Sequence, residues 1–98
     1  MLGDRQFFVY ILTNKQYGTL YTGMTGDLAR RIFEHRSKAV KSFSREHDLM
    51  RLVWYEVHGT VDAAYTRERR IKRWNRTWKI QLIEHDNPHW RDLTETLI

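Results

Sequence analysis

The feature that most constrains the fold is a pair of short apolar segments near the start of the chain. Residues 7–12 and residues 19–24 are rich in β-branched and aromatic side chains, and both segments are too short to form buried helices. Residues 14–18 lie between them and include asparagine and glycine, which tolerate the positive φ angles of a turn. This arrangement predicts a β-hairpin.

The middle of the chain predicts helices that begin at capping residues. Asp27 is placed to cap a helix over residues 28–36, and Thr60 is placed to cap a longer helix over residues 61–75. A further helix is predicted over residues 76–85 because its composition continues to favour helix.

Four other segments complete the predicted order. Residues 49–58 are typical of a third strand, and residues 37–48 predict a polar, basic loop with a short helical turn. Asn87-Pro88 ends the last helix because proline cannot continue the helical hydrogen bonds, and residues 90–98 form a tail able to dock. The order β-β-α-β-α-α predicts an α+β domain, with a small three-stranded antiparallel sheet flanked by helices.

Length and composition narrow the class of protein further. A chain of 98 residues supports one modest core, so a single domain over residues 1–98 is predicted. No apolar run is long enough to cross a bilayer, and residues 1–6 lack a secretory signal pattern. The absence of cysteine excludes a disulfide framework and a thiolate metal site. We therefore expect a cytoplasmic protein with no membrane partner.

The charge of the chain favours a polyanionic partner. The formal net charge is +5, and the basic side chains concentrate between Arg67 and Lys79. Trp74 and Trp78 interrupt this stretch, and two interpretations follow. Either the tryptophans stack on bases beside phosphate-binding cations, or they anchor the helix in the core while the cations face solvent. We favour buried tryptophans and exposed cations that are available to a nucleic-acid backbone.

Two tyrosines occupy the two arms of the predicted hairpin. Side chains alternate between the faces of a strand, so an even register would place Tyr10 and Tyr21 on one face. The register is not fixed by the sequence. The pair is therefore either an ordinary aromatic contact across the hairpin or two phenol hydroxyls held close together.

Three further polar residues have the chemistry of a phosphate-handling site. Arg31 and His35 are four residues apart and so face the same way on the first helix, where one can neutralise a phosphate and the other can move a proton. Glu68 lies in a stripe with Ala64 and Ile71, where an apolar residue is expected. A carboxylate there needs either a basic partner or a metal ion.

These residues, taken in order, resemble the GIY-YIG nuclease superfamily. Phe8-Val9-Tyr10 stands where the family has Gly-Ile-Tyr, and Tyr21-Thr22-Gly23 stands where it has Tyr-Ile-Gly. Arg31 follows Gly23 by eight residues and His35 follows by four more, which matches the family pattern, and Glu68 lies on a later helix as the family glutamate does. The chain is similar to the small single-domain bacterial members, with a family core at about residues 6–80 and a helix end and tail at residues 81–98.

The resemblance implies a metal-dependent endonuclease that hydrolyses a nucleic-acid phosphodiester by attack of water. In the family mechanism, Tyr10 deprotonates the water with help from His35, Tyr21 positions the water or a phosphate oxygen, Arg31 neutralises charge, and Glu68 holds one Mg2+ or Mn2+ ion. A phenol is a poor base at its ordinary pKa of about 10, so Arg31 and the metal are expected to lower that of Tyr10.

The resemblance also implies a substrate class, which is DNA with weak sequence preference. It does not separate DNA repair from recombination or from processing of foreign DNA, and protein partners stay open. Side chains expected to contact the nucleic acid are basic residues of the helices, namely Arg30, Arg67, Arg70, Lys72, Arg73, Arg76 and Lys79.

Three departures from the family pattern keep a second function open. Phe8 replaces the first glycine, and Met24 stands where some members have a lysine. The family also has a late asparagine near its site, for which Asn87 is the candidate and Asn75 the alternative. The alternative function is a nucleic-acid-binding module on the same fold with weak or absent catalysis. A basic domain that binds a protein partner ranks third, since it leaves the ordered motif residues unexplained.

Overall fold

A three-stranded antiparallel sheet forms the centre of the protein. The computed structural model describes residues 5–37 and 51–97. Strands β1 (Phe7–Thr13), β2 (Leu20–Thr25) and β3 (Arg51–His58) pair in the order β2-β1-β3. The predicted hairpin is therefore β1–β2, and β3 adds to the other side of β1.

Helices cover the sheet in the predicted sequence order. They are α1 (Leu28–Ser37), α2 (Val61–Arg73) and α3 (Arg76–Asp86), and a short 3-10 helix follows at Leu93–Leu97. The predicted α+β class, with a three-stranded antiparallel sheet flanked by helices, is confirmed. The predicted loop over residues 37–48 lies almost entirely outside the described residues, as do the first two residues of the predicted third strand.

Side-chain caps fix where the helices begin and end. Asp27 Oδ1 accepts from the Arg30 amide at 3.1 Å, and Thr60 Oγ1 accepts from the Ala63 amide at 3.1 Å, so both predicted caps are confirmed. The boundary at Asn75 was wrong, because α2 ends at Arg73. The Asn75 backbone is extended, and its side chain accepts from the Trp78 amide at 2.9 Å, which makes Asn75 the N-cap of α3.

Both faces of the sheet are buried, and each has its own apolar cluster. On one face, Val9 and Ile11 of β1 pack with Ala64 and Ile71 of α2, and α3 and Trp90 complete this cluster. The opposite face carries side chains of β1 and β3 together with α1, namely Tyr10, Leu12, Leu28, Ile32 and Leu52. Burial of apolar surface in these two clusters is the main driving force that holds the helices to the sheet.

The C-terminal segment docks onto the domain. Trp90 is fully buried in the first cluster, and Leu93 and Leu97 pack against the second. Arg36 Nη2 donates to Asp92 Oδ2 at 2.6 Å, which ties the end of α1 to the segment. None of the helices in the described ranges, 5–37 and 51–97, has the length and apolar character that crossing a bilayer requires.

Candidate active site

The strand register places Tyr10 and Tyr21 on one face of the sheet. Leu12 pairs with Tyr21, and Tyr10 lies two residues before Leu12, so all three side chains point the same way. The rings of Tyr10 and Tyr21 are 6.3 Å apart between centroids. The sequence left the register open, and the observed register brings the two phenols together.

Gly23 makes room for the Tyr10 phenol. It is the residue paired with Tyr10 across the hairpin. A Cβ at Gly23 would lie 2.6 Å from the Tyr10 hydroxyl oxygen and 2.7 Å from Cζ, which is closer than atoms can approach without displacement. The sequence showed this glycine only as part of a motif, and its steric role depends on a register that the sequence does not fix.

Helix α1 brings a histidine against both tyrosines. Its inward face consists of Leu28, Ile32 and His35, as predicted. His35 Nε2 lies 3.4 Å from the Tyr10 hydroxyl oxygen, and the imidazole ring is 6.2 Å from the Tyr10 ring and 6.1 Å from the Tyr21 ring between centroids.

The charge state of His35 follows from its position. Burial lowers the pKa of His35 below its ordinary value, and the neighbouring Arg31 charge lowers it further, while Glu34 opposes both effects. The imidazole is therefore neutral at pH 7 and has one nitrogen able to accept a proton.

The Tyr10 phenol is buried, which favours its protonated form. Burial raises the pKa of Tyr10 well above its ordinary range, and Tyr21 adds to this rise, whereas Arg31 lowers the pKa through its charge and a side-chain hydrogen bond. Arg31 thus acts in the direction expected from the sequence, but burial outweighs it. The expectation that nearby cations leave this phenol with a lowered pKa is not met by the protein's own residues.

The Glu68 carboxylate approaches Tyr10 from α2, which packs on the other face of the sheet. It lies on α2 between the buried residues Ala64 and Ile71, and its own side chain is only 12% exposed. The carboxylate is near enough to Tyr10 to raise the pKa of that phenol. Its partner is Lys72, whose Nζ lies 3.2 Å from Oε2. The structure therefore brings the two phenols and the imidazole into contact, and the Arg31 guanidinium and this carboxylate are close enough to Tyr10 to change its pKa.

The donor set fits a divalent cation that keeps most of its water. Among the described residues, no group of three or more histidine, cysteine, aspartate or glutamate side chains surrounds a common point. Mg2+ is often held by one or two carboxylates, with water and substrate phosphate completing its shell. Glu68 is the carboxylate that fits this pattern, and its ion pair with Lys72 would compete with a metal for Oε2.

Neither candidate for the late asparagine joins this group. Asn87 is 4% exposed, and its Nδ2 donates to Val53 O at 3.0 Å and to Arg91 O at 2.9 Å, while Oδ1 accepts from the Arg91 amide at 3.0 Å. Asn87 contacts β3, which β1 separates from β2 and Tyr21. Asn75 caps α3. Both side chains stabilise the fold.

Two of the basic side chains predicted to contact nucleic acid make hydrogen bonds to other residues of the protein. Arg67 Nε donates to Glu56 Oε1 at 3.0 Å, and its guanidinium lies 5.3 Å from the centre of the Trp74 ring. Arg76 Nη2 donates to the carbonyl oxygens of Tyr17 and Gly18, the latter at 2.7 Å, and so holds the hairpin turn against α3.

Most of the other predicted contacts are exposed. Arg70 and Arg73 are exposed on α2, and the Lys72 and Arg30 side chains are 50% and 75% exposed. Lys79 is partly buried, and burial lowers its pKa, with Arg76 adding to this effect. The expectation that both tryptophans are buried was wrong for Trp78, which is 53% exposed, whereas Trp74 packs partly buried against the core.

The fold and this group of side chains together define the class of protein. The family model of the GIY-YIG catalytic domain matches residues 6–81, and the chain belongs to that family. The resemblance found in the sequence is therefore confirmed.

Particular relatives carry the name UPF0213 protein. One from Haloquadratum walsbyi is 38% identical over 77 residues, covering 79% of this chain and 85% of the relative. One from Clostridium perfringens is 37% identical over 76 residues, covering 78% and 81%. The solution NMR structure of a UPF0213 protein from Bacillus halodurans is 30% identical, with a TM-score of 0.57, covering 92% of this chain and 95% of that one.

Proposed function

We propose that this chain is an endonuclease that hydrolyses nucleic-acid phosphodiesters, with DNA as substrate and weak sequence preference, using one Mg2+ or Mn2+ ion. The observation that supports this most directly is that β1, β2 and α1 bring two phenols and an imidazole into contact, with the charges of Arg31 and Glu68 close enough to act on Tyr10. Separate elements of a small fold bring a carboxylate, an imidazole and two phenols together at a cost in desolvation, which favours a chemical role.

The protein's own residues have distinct roles in this proposal. The half-exposed Arg31 side chain binds the scissile phosphate and neutralises the charge that develops on its oxygens. Tyr21 orients the attacking water by a hydrogen bond. Glu68 holds the ion, which when bound supplies positive charge at the leaving oxygen.

Proton transfer runs from water through Tyr10 to His35. Because burial keeps the pKa of Tyr10 high, its phenol gives its own proton to neutral His35 Nε2 while it takes one from the attacking water. The water oxygen then bonds to phosphorus, and the bond from phosphorus to the leaving oxygen breaks. Tyr10 thus acts as a relay, which agrees with its protonated state better than a free phenolate base does.

Glu68→Gln separates catalysis from binding because it removes the carboxylate charge and keeps the size of the side chain. We expect cleavage of plasmid, branched or single-stranded DNA with Mg2+ or Mn2+ to fall by about 100-fold or more. Binding to the same DNA in EDTA is expected to persist, since the variant carries one negative charge fewer. Gel cleavage assays and fluorescence anisotropy measure the two quantities.

The matched control is Lys15→Ala, an exposed change in the hairpin turn that leaves both quantities unaltered. Cleavage that survives Glu68→Gln would remove this residue from the proposed role. RNA, tested in parallel, checks the preference for DNA.

A second candidate function is a nucleic-acid-binding module without catalysis. It is favoured by the ion pair between Lys72 and Glu68, which occupies the carboxylate proposed to hold the metal. Under this alternative the wild-type protein binds every substrate in the same assay and cleaves none of them with either metal.

A further inference from the structure

An open groove on the outer side of α2 leads to the Glu68 carboxylate. It has a volume of about 330 Å³ and is lined by Tyr65, Glu68, Arg69, Lys72 and Arg73. Tyr65, Arg69 and Arg73 follow one another at four-residue intervals, so they rise by about 6 Å per step along one side of the helix. The groove therefore presents one aromatic ring and three cations beside the carboxylate of the candidate active site.

Tyr65 and Arg69 form an ordered pair at the surface. The Tyr65 residue is 49% exposed although it is large and aromatic. Arg69 Nη1 donates to the Tyr65 hydroxyl at 2.7 Å, and the guanidinium carbon lies 5.4 Å from the centre of the ring. These two contacts restrain both side chains, and about half of the Tyr65 surface remains in contact with solvent.

The charge of the groove favours a polyanion. Three cations surround one carboxylate, and Lys72 Nζ is 3.2 Å from Glu68 Oε2 while its side chain remains half exposed. The cationic groups are thus positioned next to Glu68, the carboxylate proposed to hold the metal at the scissile phosphate. Phosphates on either side of the scissile one would enter this groove.

From this geometry we propose that the groove binds an unpaired nucleic-acid strand beside the bond to be cut. Arg69, Lys72 and Arg73 hold the phosphates, and Tyr65 stacks on a base next to them. A base in a duplex is stacked between its neighbours and offers no free face, so an exposed ring beside phosphate-binding cations selects single-stranded or frayed substrate. This inference rests on the proposed function and adds the structure of its substrate.

An acidic peptide is the other polyanion that three cations would attract. It has no planar base for the Tyr65 ring, so its binding would depend on charge alone. The contribution of Tyr65 to binding therefore distinguishes the two partners.

The test measures binding without metal, by fluorescence anisotropy in EDTA. The probes are a labelled single-stranded DNA, the same strand with abasic sites throughout, the corresponding duplex, and poly-glutamate of matched charge. Tyr65→Ala is expected to weaken binding to the single strand by about fivefold to 140-fold, the range for removal of one base–aromatic stack. The same variant is expected to bind the abasic strand, the duplex and poly-glutamate with wild-type affinity.

Two matched variants separate stacking from charge. Tyr65→Phe keeps the ring and retains wild-type binding to the single strand. Arg69→Ala weakens binding to the single strand and the abasic strand alike, and it reduces the salt slope by about 0.7, the value for one phosphate of a single strand that is no longer neutralised. Lys15→Ala removes the same charge at the hairpin turn and leaves the slope unchanged. Far-ultraviolet circular dichroism confirms that each variant folds.

The proposal is overturned if Tyr65→Ala binds the single strand as the wild type does, or if it loses affinity equally for the abasic strand, the duplex or poly-glutamate. It is also overturned if Arg69→Ala changes binding no more than Lys15→Ala. Because no metal is present, these results do not depend on cleavage. A protein that shows the expected binding pattern and cleaves nothing would contradict the proposed function and leave the groove assignment standing.

Discussion

The smallest residue of the candidate site controls the position of its central phenol. Gly23 faces Tyr10 across the hairpin, and the phenol crosses the space that any other side chain at this position would fill. The Tyr10 hydroxyl can therefore lie against His35 while its ring is buried between the sheet and α1. At the residue scale, the site depends on the lack of a Cβ atom at Gly23 as much as on the reactive side chains.

Gly23→Ala is expected to displace the Tyr10 phenol, because the new Cβ would lie 2.6 Å from its hydroxyl oxygen. Overpacking of a buried position typically costs about 1–3 kcal/mol, and movement of the phenol away from His35 interrupts the proposed proton relay. We expect a lower midpoint of urea unfolding and a decrease in cleavage by about tenfold or more, measured under conditions where the variant is folded.

Gly59→Ala is the matched control for this change. A Cβ at Gly59 would meet no atom within 4 Å, so both unfolding and cleavage should stay at their wild-type values. If Gly23→Ala behaves like Gly59→Ala, the Tyr10 phenol does not need the space that the structure gives it.

Asn87 connects three elements, which are α3, β3 and the C-terminal segment. It follows the last residue of α3 and accepts from the Arg91 amide, which forms the turn into the C-terminal segment. Its Nδ2 also donates to Val53 of β3. Asp92, the residue after Arg91, accepts from the Leu52 amide of the same strand at 3.4 Å. At the element scale, these contacts satisfy polar groups of a strand at the edge of the sheet.

Asn87→Ala is expected to destabilise the fold without altering the chemistry. The change leaves the Val53 carbonyl and the Arg91 amide without their side-chain partner, and each buried unpaired group costs about 1–3 kcal/mol. Thermal and urea unfolding measure the destabilisation. In the folded variant at low temperature, kcat/KM for cleavage stays close to the wild-type value, whereas an asparagine acting in catalysis would lower it at every temperature.

At the scale of the whole molecule, the candidate site draws residues from both faces of the sheet. Tyr10 and His35 belong to the face covered by α1, while Glu68 lies between Ala64 and Ile71, which pack on the other face. Correct packing of both faces is therefore needed before the five groups come together. The docked C-terminal segment contributes to both clusters, including the one that contains Tyr10, and so stabilises the site.

The free energy of unfolding should fall as the pH drops below about 6.5, the ordinary histidine value. Burial and Arg31 lower the pKa of His35 in the folded state, against the opposing charge of Glu34, while Tyr10 and Tyr21 contact its ring. The unfolded chain then binds a proton at higher pH than the folded protein does, so acid favours unfolding. Urea unfolding at pH 7.5 and 5.5 measures the effect, and His35→Gln should show a smaller decrease.

A second decrease is expected at lower pH, below about 3.9, where an unfolded aspartate takes up a proton. Burial alone would raise the pKa of Asp92, but hydrogen bonds from Thr94 and the charge and hydrogen bond of Arg36 outweigh it and lower the pKa. The stability from this carboxylate is present above that pH and is lost as the pH falls through its folded pKa. An equal decrease in Arg36→Ala and wild type would show that Arg36 does not contribute.

The sequence by itself determined the three strands, the three longer helices and their order, and it suggested the five candidate site residues, because strand composition, caps and motif spacing are local properties of the chain. Only the tertiary structure decided the hairpin register, the need for Gly23, the raised pKa of Tyr10 and the ion pair of Lys72 with Glu68. The tertiary structure also decided that the Asn87 side chain stabilises the fold and that Trp78 is exposed. These properties depend on which residues far apart in the sequence come into contact, and on how much water those contacts exclude. Positions along the chain give neither quantity.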